Sequence, residues 1–192
     1  ANTSQVSTSV LQHKAVLLVL GGTGIVVGAQ ILHHADSRTC FGTSALRWPP
    51  LTSVVSAIYA CREDDVLMVG ELAQWCSADI GNGRLQRCVL AISSPCEGSA
   101  AGAQPPFKAP QPAPAPPGVP SAPTLQELTA LPNVGVHRGR VTKELLQGEL
   151  VPLQGFGRVR VVVSGPEAFN SSVRDMLVQI GVESDAIAIL SA

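Results

Sequence analysis

Apolar residues along this chain gather into four short runs, at residues 15–20, 54–61, 89–92 and 159–163, with a weaker fifth at 187–190. Unbroken apolar runs of this length suit strands buried on both faces, which is the pattern of a parallel sheet covered by helices. The stretches between them have helical length. After Pro166, the residues Phe169, Val173, Met176, Leu177 and Ile180 recur at three-and-four spacing, and Gly181 stands where a helix would end. A second helix is predicted from near Asp65, with Leu67, Leu72 and Trp75 inward. A third is predicted near Thr142, a good N-cap, running through Leu145 and Leu146. Strands alternating with helices predict an α/β, doubly wound parallel sheet of five strands in the order 3-2-1-4-5.

The strongest apolar stretch, residues 15–34, admits two readings. A membrane helix needs about 20 apolar residues. This run is a little short, is split by Gly21-Gly22-Thr23-Gly24 and ends on His33-His34. Four other strand candidates need a central partner, and residues 15–20 supply it, so no membrane span is expected. The stretch is read as a strand, a turn and a helix from Ile25 that runs out at the histidines.

Composition narrows the partners. Lys and Arg total 13 against 14 acidic residues, which leaves nothing to track a nucleic-acid backbone. The five cysteines are odd in number and no two stand at CxxC spacing. They fit reduced thiols in an intracellular protein, cytosolic or mitochondrial, better than a disulfide framework or a zinc site. Residues 95–123 hold ten prolines and seven alanines, with only Glu97 and Lys108 charged. They form no core and are expected to be an extended insertion. The domain is thus expected to span 15–192, interrupted at 95–123, with 1–14 as an extension or the remnant of a preceding domain.

A glycine-rich turn between strand and helix lets a ligand approach the backbone, and the new helix presents unpaired N–H groups and a positive dipole end. Gly21, Gly22, Thr23, Gly24 and Ile25 therefore make a candidate pyrophosphate site. The spacing is neither G-x-G-x-x-G nor a P-loop. A short-chain dehydrogenase would carry Lys four residues after its tyrosine, whereas Tyr59 is followed there by Glu63.

Three ordered patches resemble the nucleotide-binding half of the ferredoxin-reductase superfamily, most nearly its cytochrome-b5 reductase branch. VLGGTGI at 19–25 is similar to that family's Gly-Gly-Thr-Gly-Ile turn. IYACREDDVLMVGEL at 58–72 resembles its second strand and the acidic helix start. VVVSGPEAF at 161–169 is similar to its Cys-Gly-Pro-Pro motif. HRGRVTKELL at 137–146 looks like the Gly-Arg-Val segment after its third strand. The resemblance implies an NAD(P)H site, with Gly21 to Gly24 on the pyrophosphate, Arg62 near the adenosine ribose, and Gly165 and Pro166 beside the nicotinamide; Cys61 lies at a strand's carboxyl end near that site. Ser164 takes the position of the motif cysteine, where hydride passes to a flavin. Glu63, Asp64 and Asp65 follow Arg62 and would repel a 2′-phosphate, so NADH is favoured over NADPH.

The departures from the family pattern are Val26-Val27 after the turn, Ser164 in place of cysteine, Glu167 in place of the second proline and a last residue that is not aromatic. The family's flavin-binding barrel, which carries FAD, is not found in the sequence before residue 15. The expected partner is therefore a flavin-binding domain or subunit outside these residues. Two functions follow: the NAD(P)H-binding part of a flavoprotein oxidoreductase, or an inactive reductase-derived domain serving in a larger assembly, a mitochondrial one among the candidates. No metal site is expected, since His33 and His34 point about 100° apart on a helix and His13 and His137 have no visible partners. A buried structural thiol is the competing reading of Cys61, and a solvated partner for the adjacent carboxylates that of Arg62.

Overall fold

The computed structural model describes residues 14–40, 54–77, 85–94 and 124–191, without the side chains of 33–40, 77 and 191. Six strands form one sheet: β1 (Ala15–Gly21), β2 (Val54–Arg62), β3 (Arg87–Ser93), β4 (Val134–Arg138), β5 (Val159–Gly165) and β6 (Ile187–Ser191). All are parallel, in the order β4-β3-β2-β1-β5-β6. The five strands expected from the sequence keep their predicted order, and β4 is an addition at the edge. It escaped detection because Val134-Gly135-Val136 is a short alternation broken by a glycine. Its residues are half-buried or exposed, as an edge strand's are.

Alternation along the central strand divides two cores. Val16, Leu18 and Leu20 face the helices α1 (Ile25–Cys40), α2 (Val69–Ser77) and the short α3 (Leu125–Thr129). Ala15, Leu17 and Val19 face α4 (Lys143–Gln154) and α5 (Glu167–Gln179). Every residue of β1 is buried, which explains its unbroken apolar run and settles it as the middle of a sheet. Among the described residues no helix is long and apolar enough to cross a membrane.

Two helix boundaries differ from expectation. α2 begins at Val69 rather than near Asp65: residues 62–65 make a turn closed by Asp65 N–H to the Arg62 carbonyl, and Met68 has a φ of 57° that breaks helical geometry before it. Leu72 and Trp75 do face inward, each almost fully buried. α1 continues past the histidines to Cys40. α4 starts as predicted, with the Thr142 hydroxyl accepting from Leu145 N–H. α5 ends at Gly181, whose φ of 90° lets Val182 N–H reach the Leu177 carbonyl. The short α3 was not foreseen; Thr124 and Glu127 close a capping box at its start. Residues 1–13 and the proline-rich 95–123 lie outside the described residues. The strands before and after the latter, β3 and β4, pair directly with each other.

Candidate functional site

A crevice of about 460 Å³ opens at the carboxyl ends of the strands, where doubly wound sheets reverse direction and hold their ligands. Ala60 and Ala91 line it with small side chains. One wall is Gly21, Gly22, Pro166 and Phe169; the other is Arg62, Asp65, Ser93, Gly139 and Arg140.

The first wall is shaped by packing. The Phe169 ring lies so close to the backbone that a Cβ on Gly21 would stand 2.8 Å from it, and one on Gly165 would stand 2.7 Å away. A Cβ on Gly24 would collide with the carbonyl of Ser164. These three glycines let β1, its turn and β5 close on one another. Gly22 differs: its φ is +52°, and a Cβ there would meet nothing within 4 Å. The turn thus requires a glycine at 22 for its backbone and leaves open space before it. No side chain caps this turn or the start of α5, and no acidic residue sits in the first turn of α1. The start of α1 therefore keeps its positive dipole end uncompensated, whereas Glu167 in the first turn of α5 offsets that of α5.

The second wall carries charge. Arg62 gives Asp64 two hydrogen bonds, of 2.9 and 2.5 Å, which hold the Asp64 carboxyl below its ordinary range. Glu63 reaches Arg138 at 3.7 Å. Asp65 remains on the wall beside Cys61. Burial first, and the Asp65 charge second, push the Cys61 thiol up to about 11, so at neutral pH it is protonated. Arg140 makes no ion pair with any described residue. Its loop is pinned by Gly139 N–H donating to the Ile92 carbonyl at 2.8 Å. Tyr59 stays out of any proton chemistry: buried in the core, its hydroxyl accepts from Leu67 N–H and is pushed up to about 12, chiefly by burial.

Of the residues singled out in the sequence, Gly21, Gly22, Cys61, Arg62 and Pro166 line the crevice. Thr23, Gly24, Ile25, Ser164 and Gly165 do not: Ile25 is core, Gly165 lies under Phe169, and Ser164 is fully buried behind Gly24 with its hydroxyl unpartnered. Arg140, Ser93 and Phe169 were missed as wall residues. Asn170 was missed too. It is buried and donates at 2.8 Å to the Gly165 carbonyl, fixing the end of β5. A polar residue on the inward stripe with Val173 and Leu177 was the sequence signal for it. Among the described residues no cluster of metal-ligating side chains occurs.

Comparison with solved structures finds a similar fold. The structure of the CS and b5R domains of human Ncb5or, in its NAD+ form, matches with a TM-score of 0.52 at 18% identity over 94% of this chain. That likeness is one of fold. The ferredoxin reductase of carbazole 1,9a-dioxygenase also aligns, with a TM-score of 0.45 at 16% identity over 94% of this chain. This chain spans 38% and 37% of the lengths of those two. No protein-family model matches the sequence, and no curated protein does.

Proposed function

We propose that this chain is the NAD(P)H-binding domain of a b5-reductase-like flavoprotein, presenting the reduced nicotinamide to a flavin held on another domain or subunit. The observation that carries the reading is Gly22: a left-handed glycine with open space before it, at the carboxyl edge of the central strand, between two helix starts that no side chain caps. A pyrophosphate fits such a cradle, because the backbone N–H groups of the turn and the dipole end of α1 carry no acidic residue or side-chain cap. The turn at Gly21 and Gly22 would hold the pyrophosphate. Cys61, Arg62 and Asp65 would flank the adenosine ribose, with Arg140 on the same wall, and Pro166 would border the nicotinamide. The dinucleotide supplies a hydride when bound; the residues of this chain bind, orient and shield it.

NADH is the favoured form. The Arg62 guanidinium is bound by Asp64, and Asp65 stands on the same wall, so a 2′-phosphate would meet a carboxylate there. Cytosol or mitochondrion is the proposed setting. A second reading, an inactive domain within a larger assembly, draws on one observation. Ser164, at the position the family gives to its cysteine, is buried away from the crevice.

Binding tests the reading. NADH at a hundredfold excess over its dissociation constant is expected to raise the melting temperature by about 5 °C, more than NADPH does. No rise with either dinucleotide at millimolar concentration contradicts it. Binding with no hydride transfer to an added flavin-loaded partner domain selects the second reading.

A further inference from the structure

A second cavity, of about 300 Å³ and open to solvent, lies at the amino ends of the strands, opposite the crevice. β5 begins there, and its Val159 and Val161 form the floor. Leu150, Val151 and Gln154 of α4 make one wall; Ile180, Gly181 and Val182, which follow α5, make the other. Apolar surface continues past the rim, since Val151 is 58% exposed and Phe156, next to the lining residue Gly157, is 43% exposed. Large apolar side chains left exposed around a cavity mark a surface for a partner.

Charge decides which kind of partner. α4 and α5 both end at this cavity and neither carries a basic residue in its last turn, so two negative dipole ends meet it with no countercharge of their own. The rim's own cation, Arg158, is engaged by Asp185 at 2.6 Å and Glu183 at 3.0 Å. It bonds to one oxygen of each carboxylate, and each retains the capacity to accept more. Arg160 belongs to the other face of the sheet, because side chains alternate along a strand and Val159 and Val161 take this face. One cation therefore stands against two carboxylates and two dipole ends, above an apolar floor.

We propose that this cavity is a docking site for a partner protein, which inserts an arginine flanked by apolar residues. The arginine's methylene stem lies along Leu150, Val161 and Val182, and its guanidinium meets the Glu183 carboxylate at the rim. The flanking apolar residues of the partner cover Val151 and Phe156. Volume favours such an occupant: about 300 Å³ is at the lower end for ligand cavities and holds a side chain or two, far less than a dinucleotide. Arginine suits the site better than lysine, because a guanidinium is more weakly hydrated and loses less on leaving water. The cavity shares no residue with the crevice, so a docked partner and a bound dinucleotide coexist. This inference is independent of the nucleotide reading.

The isotopically labelled full chain is titrated with two probe peptides, acetyl-Leu-Arg-Phe-amide and acetyl-Leu-Glu-Phe-amide, and its backbone amide shifts are followed. The arginine peptide is expected to move Val151, Gly157, Val159 and Val182 saturably, with a dissociation constant of about a millimolar, and the glutamate peptide to bind about fivefold more weakly or less. Raising the salt should narrow that difference. Glu183→Gln, at an exposed side chain, should weaken the arginine peptide by about threefold and leave the melting temperature unchanged. Val151→Lys, also exposed, should weaken it more, by about tenfold, through lost apolar contact and like charge. Equal affinity for the two peptides, shifts centred on Gly22 and Arg140, or no saturable shift at about 10 mM peptide overturns the proposal. So does movement of the cavity residues with protein concentration alone, which would assign the cavity to a second copy of this chain.

Discussion

The two walls of the crevice are made in different ways. On the β1–β5 side the residues are fixed by contact: Phe169 lies against Gly21 and Gly165, and Gly24 abuts the Ser164 carbonyl. On the β2–β4 side they are exposed charges at strand ends and on the loops that follow: Arg62 is tied to Asp64, Arg138 to Glu63, and Arg140 has no ionic partner among the described residues. One wall is therefore specified by shape, so its substitutions cost stability. The other is specified by electrostatics, so its substitutions cost ligand preference and leave the fold intact.

The largest effect is expected on the packed wall. Gly24→Ala places a methyl against backbone that has nowhere to move, and should destabilise the domain by about 3 kcal/mol or more in urea denaturation. An intact variant would show that the turn does not close on β5 as described. Gly22→Ala separates shape from ligand on that same wall. Its left-handed φ makes alanine cost about 1 kcal/mol, while the new Cβ points into open crevice and should weaken ADP-ribose binding by tenfold or more. Loss of stability without loss of affinity would break the assignment of this turn.

On the charged wall, Arg140→Ala should weaken ADP-ribose binding by about tenfold, through loss of a charge-assisted hydrogen bond, and leave the melting temperature unchanged. The deficit should shrink as salt is raised, because exposed charges are screened. Equal affinity for wild type and variant in calorimetry would remove Arg140 from the site. The smallest effect is on coenzyme choice. Asp64→Asn removes a carboxylate from Arg62 and should shift the NADPH-to-NADH affinity ratio upward by about threefold, with no change in stability, because both side chains are solvated. A fall in that ratio would show that Asp64 does not oppose the 2′-phosphate.

The same contrast explains what the sequence revealed. The glycine turn was legible, since a tight strand-to-helix connection and a close backbone approach both demand glycine, and the buried strands were legible because both faces are apolar. What the glycines do individually was not. Only the packed structure separates Gly24, which serves the fold, from Gly22, which faces the crevice. Arg140 stood in the recognisable Gly-Arg-Val segment, yet its place on the wall was not legible, because an arginine on a loop looks the same whether it meets solvent or a ligand. Ser164 stood in a recognisable motif, yet its orientation depends on how β5 meets Gly24, a contact between residues 140 positions apart. The edge strand β4 was hidden for the reason that edges usually are: it is half solvated, so it lacks the unbroken apolar run of its neighbours.

The central claim is that the crevice at the carboxyl ends of the strands holds the dinucleotide across both walls. Backbone amide chemical shifts of isotopically labelled protein, followed during titration with ADP-ribose, test it directly. The account predicts saturable shifts at Gly21, Gly22, Thr23 and Arg140 together, with Arg62 and Asp65 following and Leu150, Val159 and Val182 at the opposite ends of the strands unmoved. Shifts centred on those last three residues, or none at millimolar ligand, would contradict it.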